Sequence, residues 1–121
     1  MLIVIDIGNT NITMGLVDNN EIIDNYRLTT KLERTSDEYG FMLLSFLNAS
    51  NIDVKEIEDV IIASVVPKIM YSFSNSIKKY FNKEPIIIPK KKKILEFNNV
   101  LQSIFDMIYK NGRENEHLSA L

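Results

Sequence analysis

One short stretch of this chain gathers residue types that bind phosphate: Asp6-Ile7-Gly8-Asn9-Thr10-Asn11. It follows an apolar run that reads as a buried strand. A carboxylate at the end of such a strand faces the crevice that open sheets use for ligands. Gly8 lets the turn backbone come close to an anion. The turn amides, the Thr10 hydroxyl and the amides of Asn9 and Asn11 are donors for phosphate oxygens. Asp6 would face a Mg²⁺ ion or its waters, because that ion is commonly held by one or two carboxylates plus substrate phosphates. The same residues also make an ordinary hairpin turn, where Asn and Gly serve for their tolerance of positive φ. Position right after the first strand, opening a meander of strands, sets the phosphate reading level with the hairpin one. A Walker loop or a dinucleotide fingerprint needs more glycines and a helix next.

Elsewhere such residues are sparse. His117, the single histidine, lies in a polar tail with no partner near it in sequence. Lys90-Lys91-Lys92-Lys93 is the one basic cluster, and without interleaved aromatics it reads as a solvated loop. The net charge of −2 gives no general attraction to nucleic acid. With no cysteines, disulfides and thiolate metal sites are excluded, which fits a reducing compartment.

The elements that position the loop are legible from periodicity. Met1 to Ile5 is a continuous apolar, largely β-branched run and reads as a buried strand. Ile12 to Val17 and Glu21 to Leu28 are two more strands, joined by a turn at Asp18-Asn19-Asn20. Thr35 and Glu38 have capping-box spacing, and Tyr39, Met42, Leu43, Phe46 and Leu47 then recur on one helical face. Val54 to Glu58 reads as one helical turn, and Val60 to Val66 as a strand stopped by Pro67. Met70, Phe73, Ile77, Tyr80 and Phe81 mark a second amphipathic helix, and Pro85 to Ile88 a last short strand. Three strands, helix, strand, helix, strand imply an α/β fold with a mixed sheet, a three-stranded antiparallel meander continued by strands parallel to the first. Right-handed crossovers narrow this to a ribonuclease H-like topology. Past Pro89, Val100, Leu101, Ile104, Phe105, Ile108 and Tyr109 suggest one more helix, with Asn111-Gly112 as its stop.

The chain of 121 residues has the length of one ordinary domain. Its 45% hydrophobic and 25% charged content is that of a globular protein. No run approaches the ~20 apolar residues of a membrane span. The N-terminus has no basic region ahead of its apolar run, so the expected location is cytoplasmic.

Met1 to Thr13, MLIVIDIGNTNIT, resembles the opening of type III pantothenate kinases. Three further segments match in order: Tyr26-Arg27-Leu28-Thr29-Thr30, Arg34-Thr35-Ser36-Asp37-Glu38-Tyr39-Gly40, and Ala63-Ser64-Val65-Val66-Pro67. The resemblance covers about residues 1–89. It implies one ribonuclease H-like half of a two-half actin-like ATPase fold, with ATP between the halves. It also implies ATP-dependent phosphorylation of pantothenate, the first step of coenzyme A synthesis, with Mg²⁺, a monovalent cation such as K⁺ or NH₄⁺, and a homodimer. Asp6, Ile7, Gly8, Asn9, Thr10, Asn11, Ile12 and Thr13 would then form the first phosphate-binding motif, with Asp6 on the metal side. Arg34 to Gly40 and Ser64 to Pro67 have structural readings, as a helix cap and as a strand end leading into a helix.

Beyond residue 89 the resemblance weakens. Phe97-Asn98-Asn99 stands where the family has Tyr-Asp-Asn-Pro, and an ungapped alignment puts Asp106 at the position of the catalytic aspartate. The glycine, alanine and arginine around that aspartate are not matched. Residues 90–121 therefore read as a divergent lysine-rich tail, with a slipped reading frame or truncated gene as one origin. Three readings follow: a truncated or incomplete kinase, inactive by itself; a nucleotide-binding regulatory module; or one half of a split enzyme.

Overall fold

The computed structural model describes residues 1–89, apart from Leu32 and Val65. The expected tail helix, Lys90 to Lys93, Asp106 and His117 lie outside the described residues.

Strand β1 (Leu2–Ile7) is joined to β2 (Asn11–Asp18) by the candidate loop, and β3 (Glu21–Thr29) follows. Asn19 and Asn20 both hold positive φ, 51° and 68°, as the mirror-image turn of a two-residue hairpin demands. Helix α1 (Ser36–Ala49), a single 3₁₀ turn (Val54–Glu56), β4 (Asp59–Ser64), helix α2 (Pro67–Phe81) and β5 (Ile86–Pro89) complete the series. The sheet order is β3-β2-β1-β4-β5. β1, β2 and β3 are antiparallel, whereas β4 runs parallel to β1 and β5 parallel to β4. This is the mixed sheet that the order of elements implied.

Helix α1 starts where its sequence says it should. The Thr35 hydroxyl accepts from the Glu38 amide at 3.1 Å, and the Glu38 carboxylate accepts from the Thr35 amide at 2.8 Å. Two of the unpaired donors at the helix start are thereby satisfied. Asp53 and Glu56 repeat the device on the 3₁₀ turn. Helix α2 begins differently, with Pro67 in its first turn and no side chain capping it. There the Ser64 hydroxyl accepts from the Val66 amide at 2.9 Å, turning the chain from strand into helix.

Both helices pack on one face of the sheet. Ile3, Ile5 and Ile7 of β1, Ile12, Met14 and Leu16 of β2 and Val60 and Ile62 of β4 meet Tyr39, Leu43 and Leu47 of α1 and Phe73, Ile77 and Phe81 of α2. Tyr39 and Phe73 rings lie 4.5 Å apart between the helices. Val4, Val17, Ile61 and Ala63 are buried as well. Burial on both faces is why β1 reads as a continuous apolar run and not as an alternation.

β3 is fastened to α1 at the sheet edge. The Tyr26 ring stacks on Phe46 at 4.6 Å, and its hydroxyl donates to Asp24 Oδ2 at 3.0 Å. Ser50 Oγ donates to the same oxygen at 2.8 Å. The Ser50 hydroxyl, then that of Tyr26, hold the Asp24 carboxyl below its usual pKa.

Candidate functional site

Asp6 lies one residue before the end of β1, paired with Thr13 of β2 on one side and Ala63 of β4 on the other. It is 8% exposed. Alternation puts it on the sheet face opposite the helices, because its neighbours Ile5 and Ile7 belong to the helix-facing core. Ile7 and Ile12 send their side chains into that core, so only their backbone can face a ligand. Asn9, Thr10 and Asn11 are exposed at the tip.

The loop is tightly held. The Gly8 amide donates to the Asn11 carbonyl at 3.0 Å. A Cβ on Gly8 would stand 3.2 Å from that oxygen, closer than ordinary contact, so glycine permits the close turn. Thr30, just past the end of β3, clasps the loop from the side. Its hydroxyl donates to the Gly8 carbonyl at 2.8 Å and its amide to the Thr10 carbonyl at 2.9 Å. Sequence reading missed this role of Thr30. By alternation the residue is merely the end of a strand, and the one signal was its place in the quoted segment Tyr26 to Thr30.

The parallel pairing of β1 with β4 sets Ile7 beside Ser64. The loop and the β4–α2 turn therefore emerge at the same end of the sheet, beside the N-terminus of α2. Among the described residues no cluster of three or more His, Cys, Asp or Glu could hold a metal ion by itself.

Two recesses among the described residues lie away from the loop. One of about 590 Å³, open to solvent, lies between the start of α1 and the end of α2 and is lined by Thr35, Ser36, Asp37, Asn75, Lys78 and Lys79. Its charges are already engaged: Lys79 donates to Asp37 Oδ1 at 2.9 Å and Lys78 pairs with Glu84. A second, of about 490 Å³, includes Met1, Asp18, Glu58, Asp59 and Ile86, at the far end of the sheet from the loop.

The segment Arg34 to Gly40 is structural, as its sequence suggested. Arg34 donates to the Thr29 carbonyl at 2.7 Å, and Thr35 and Glu38 cap α1. The Tyr39 hydroxyl donates to the Lys31 carbonyl at 3.1 Å, and burial pushes its pKa up. Asp37 accepts from Lys79 and from the Tyr80 hydroxyl, the latter at 2.6 Å. Gly40 admits the Tyr80 ring against the backbone of α1.

A five-stranded mixed sheet, antiparallel across β1 to β3 and parallel across β1, β4 and β5, with both helices on one face, has the ribonuclease H-like topology. The solved structures agree. A Porphyromonas gingivalis protein carrying a provisional N-acetylglucosamine kinase assignment superposes with a TM-score of 0.54. It has 14% identity, and the match spans 74% of this chain and 34% of that one, a likeness of fold alone. The family is narrower. The sequence model for type III pantothenate kinase matches residues 2–104, and the chain belongs to that family. That match runs past Pro89 into the lysine-rich segment. The type III pantothenate kinase of Bifidobacterium animalis subsp. lactis is 50% identical over 88 residues, which is 73% of this chain and 35% of the relative. That of Agathobacter rectalis is 49% identical over 88 residues, 73% of this chain and 34% of the relative. The chain thus spans about a third of the length of these relatives.

Proposed function

We propose that this chain supplies the phosphate-binding wall of a kinase that transfers the γ-phosphoryl group of ATP to pantothenate, giving 4′-phosphopantothenate for coenzyme A synthesis. One observation carries the reading: Asp6 and the clasped Gly8–Asn11 loop stand together at the end of β1, beside the β4–α2 turn. Family membership supports pantothenate as the acceptor.

In this reading the loop amides and the Thr10 hydroxyl donate to nucleotide phosphate oxygens, at a place where a rigid backbone needs no rearrangement to receive them. Asp6 would hold Mg²⁺ carried by those phosphates, directly or through water, and the chemistry such an ion would supply is neutralisation of charge on the transferred group. Phosphoryl transfer further needs the acceptor hydroxyl in line, a base near its proton and positive charge across the cleft. No described residue takes those parts. In this reading the described residues form one wall of a nucleotide site and by themselves carry little or no turnover. The base position aligned with Asp106, a K⁺ or NH₄⁺ requirement and a homodimer complete the proposal on the strength of the resemblance.

The test is calorimetric titration of the chain with Mg-ATP, with and without pantothenate. Mg-ATP binding is expected in the unmodified chain. Asp6→Asn should weaken it by about tenfold or more, the worth of a charge-assisted contact. The thermal midpoint of the variant is measured alongside, because Asp6 is nearly buried. Equal affinity in a folded Asp6→Asn chain would remove Asp6 from the site. Pantothenate-dependent turnover by these 121 residues at an ordinary enzyme rate would overturn the incomplete-wall reading.

A further inference from the structure

We infer that Thr30 is a positioning residue: its hydroxyl and its amide together set the orientation of the two peptide planes that present the loop's donors. The inference rests on the phosphate-binding reading of the loop and adds to it a residue outside the motif.

The geometry follows from peptide planarity. In a trans peptide the C=O and the next N–H point in opposite directions. Thr30 Oγ1 holds the Gly8 carbonyl at 2.8 Å, so the Asn9 N–H is turned away from Thr30. The Thr30 amide holds the Thr10 carbonyl at 2.9 Å, so the Asn11 N–H is turned away from it too. One residue therefore fixes both peptide planes, and with them the directions of the Asn9 and Asn11 amides. The Gly8 carbonyl is also the acceptor that a tight hairpin uses for the amide three residues on. Here the Thr30 side chain, just past β3, holds that carbonyl and adds to the backbone bond from Gly8 to Asn11, and neither Asn9 nor Thr10 takes positive φ.

Thr30 is itself well anchored. It continues β3, whose Thr29 pairs with Asn11 and whose Tyr26 is stacked on α1. Arg34 donates to the Thr29 carbonyl, steadying the chain just before the clasp. Pre-arranged donors lose little freedom when a ligand arrives, which is how such a clasp raises affinity without touching the ligand.

The experiment compares Thr30→Val, which keeps the shape and removes the hydroxyl, with Thr30→Ser, which keeps the hydroxyl. Backbone amide NMR of the free 121-residue chain reads order in residues 8–11, and Mg-ATP titration reads affinity. Thr30→Val should loosen residues 8–11 while the shifts of β1, β4 and α1 stay in place, and should weaken Mg-ATP about tenfold. Thr30→Ser should restore both. Unchanged loop order in Thr30→Val overturns the inference, as does a loosened loop that binds Mg-ATP equally well. General broadening across the sheet also overturns it, by showing that Thr30 stabilises the fold at large. If Thr30→Val loosens the loop but the unmodified chain shows no response to Mg-ATP, the clasp stands and the nucleotide reading of the loop fails.

Discussion

Replacing Gly40 by alanine adds one methyl group in the contact between α1 and α2, where two effects of opposite sign meet. Alanine in a helix interior is favoured over glycine by about 1 kcal/mol. Against that, the new Cβ would stand 2.2, 2.4 and 2.8 Å from the Cδ2, Cε2 and Cγ atoms of Tyr80. The last of these is the root of the ring, so the whole aromatic group must swing away. In doing so it gives up its bond to Asp37 and its edge contact with Phe41. Overpacking of this kind costs roughly 1–3 kcal/mol. The cost exceeds the propensity gain, and Gly40→Ala should destabilise by about 1 kcal/mol net. With a urea m-value of about 2 kcal/mol/M, the unfolding midpoint drops by about 0.5 M. The decisive arm is the same substitution in a Tyr80→Ala background. There the obstacle is gone and only propensity remains, so Gly40→Ala should stabilise by about 1 kcal/mol. The sign of the effect reverses between the two backgrounds. If Gly40→Ala raises the midpoint in both, the ring is not the reason for glycine at this position and the packing argument is wrong.

Two further outcomes follow from the same end of α1. Thr35→Ala removes the cap hydroxyl and should cost about 1 kcal/mol in urea unfolding, with Thr35→Ser close to unmodified stability. The Asp37 carboxyl is held below its ordinary value of 3.8, first by its bond from Lys79 and then by that from Tyr80. A depressed folded-state pKa means that this contribution is present above 3.8 and fades as pH falls through the lower folded value. Lys79→Met should therefore raise the Asp37 midpoint toward 3.8 in a carboxyl NMR titration and flatten the acid limb of stability. An unmoved midpoint would sink that assignment.

Sequence alone determined the elements of this protein, because the signals for them are local. Capping spacing at Thr35 and Glu38, a stop at Pro67, paired asparagines at 19 and 20 and the apolar stripes of two helices each depend on neighbours a few residues away. The order of elements then left few sheet topologies open, and the loop at Asp6 to Asn11 stood out as a candidate because its residue types are ones that phosphate binding uses. Tertiary structure alone decided what the remaining residues are for. Thr30 reaches Gly8 across 22 residues, and Asp37 meets Lys79 and Tyr80 across 42 and 43. Gly40 has meaning only once the Tyr80 ring lies on it. Such contacts depend on how strands and helices dock, and no periodicity records them. The same docking sends Ile7 and Ile12 into the core and leaves Asp6 on the opposite face of the sheet. The sequence reading placed all of Asp6 to Thr13 in one motif, and only packing of the helices decided which of these side chains face the interior.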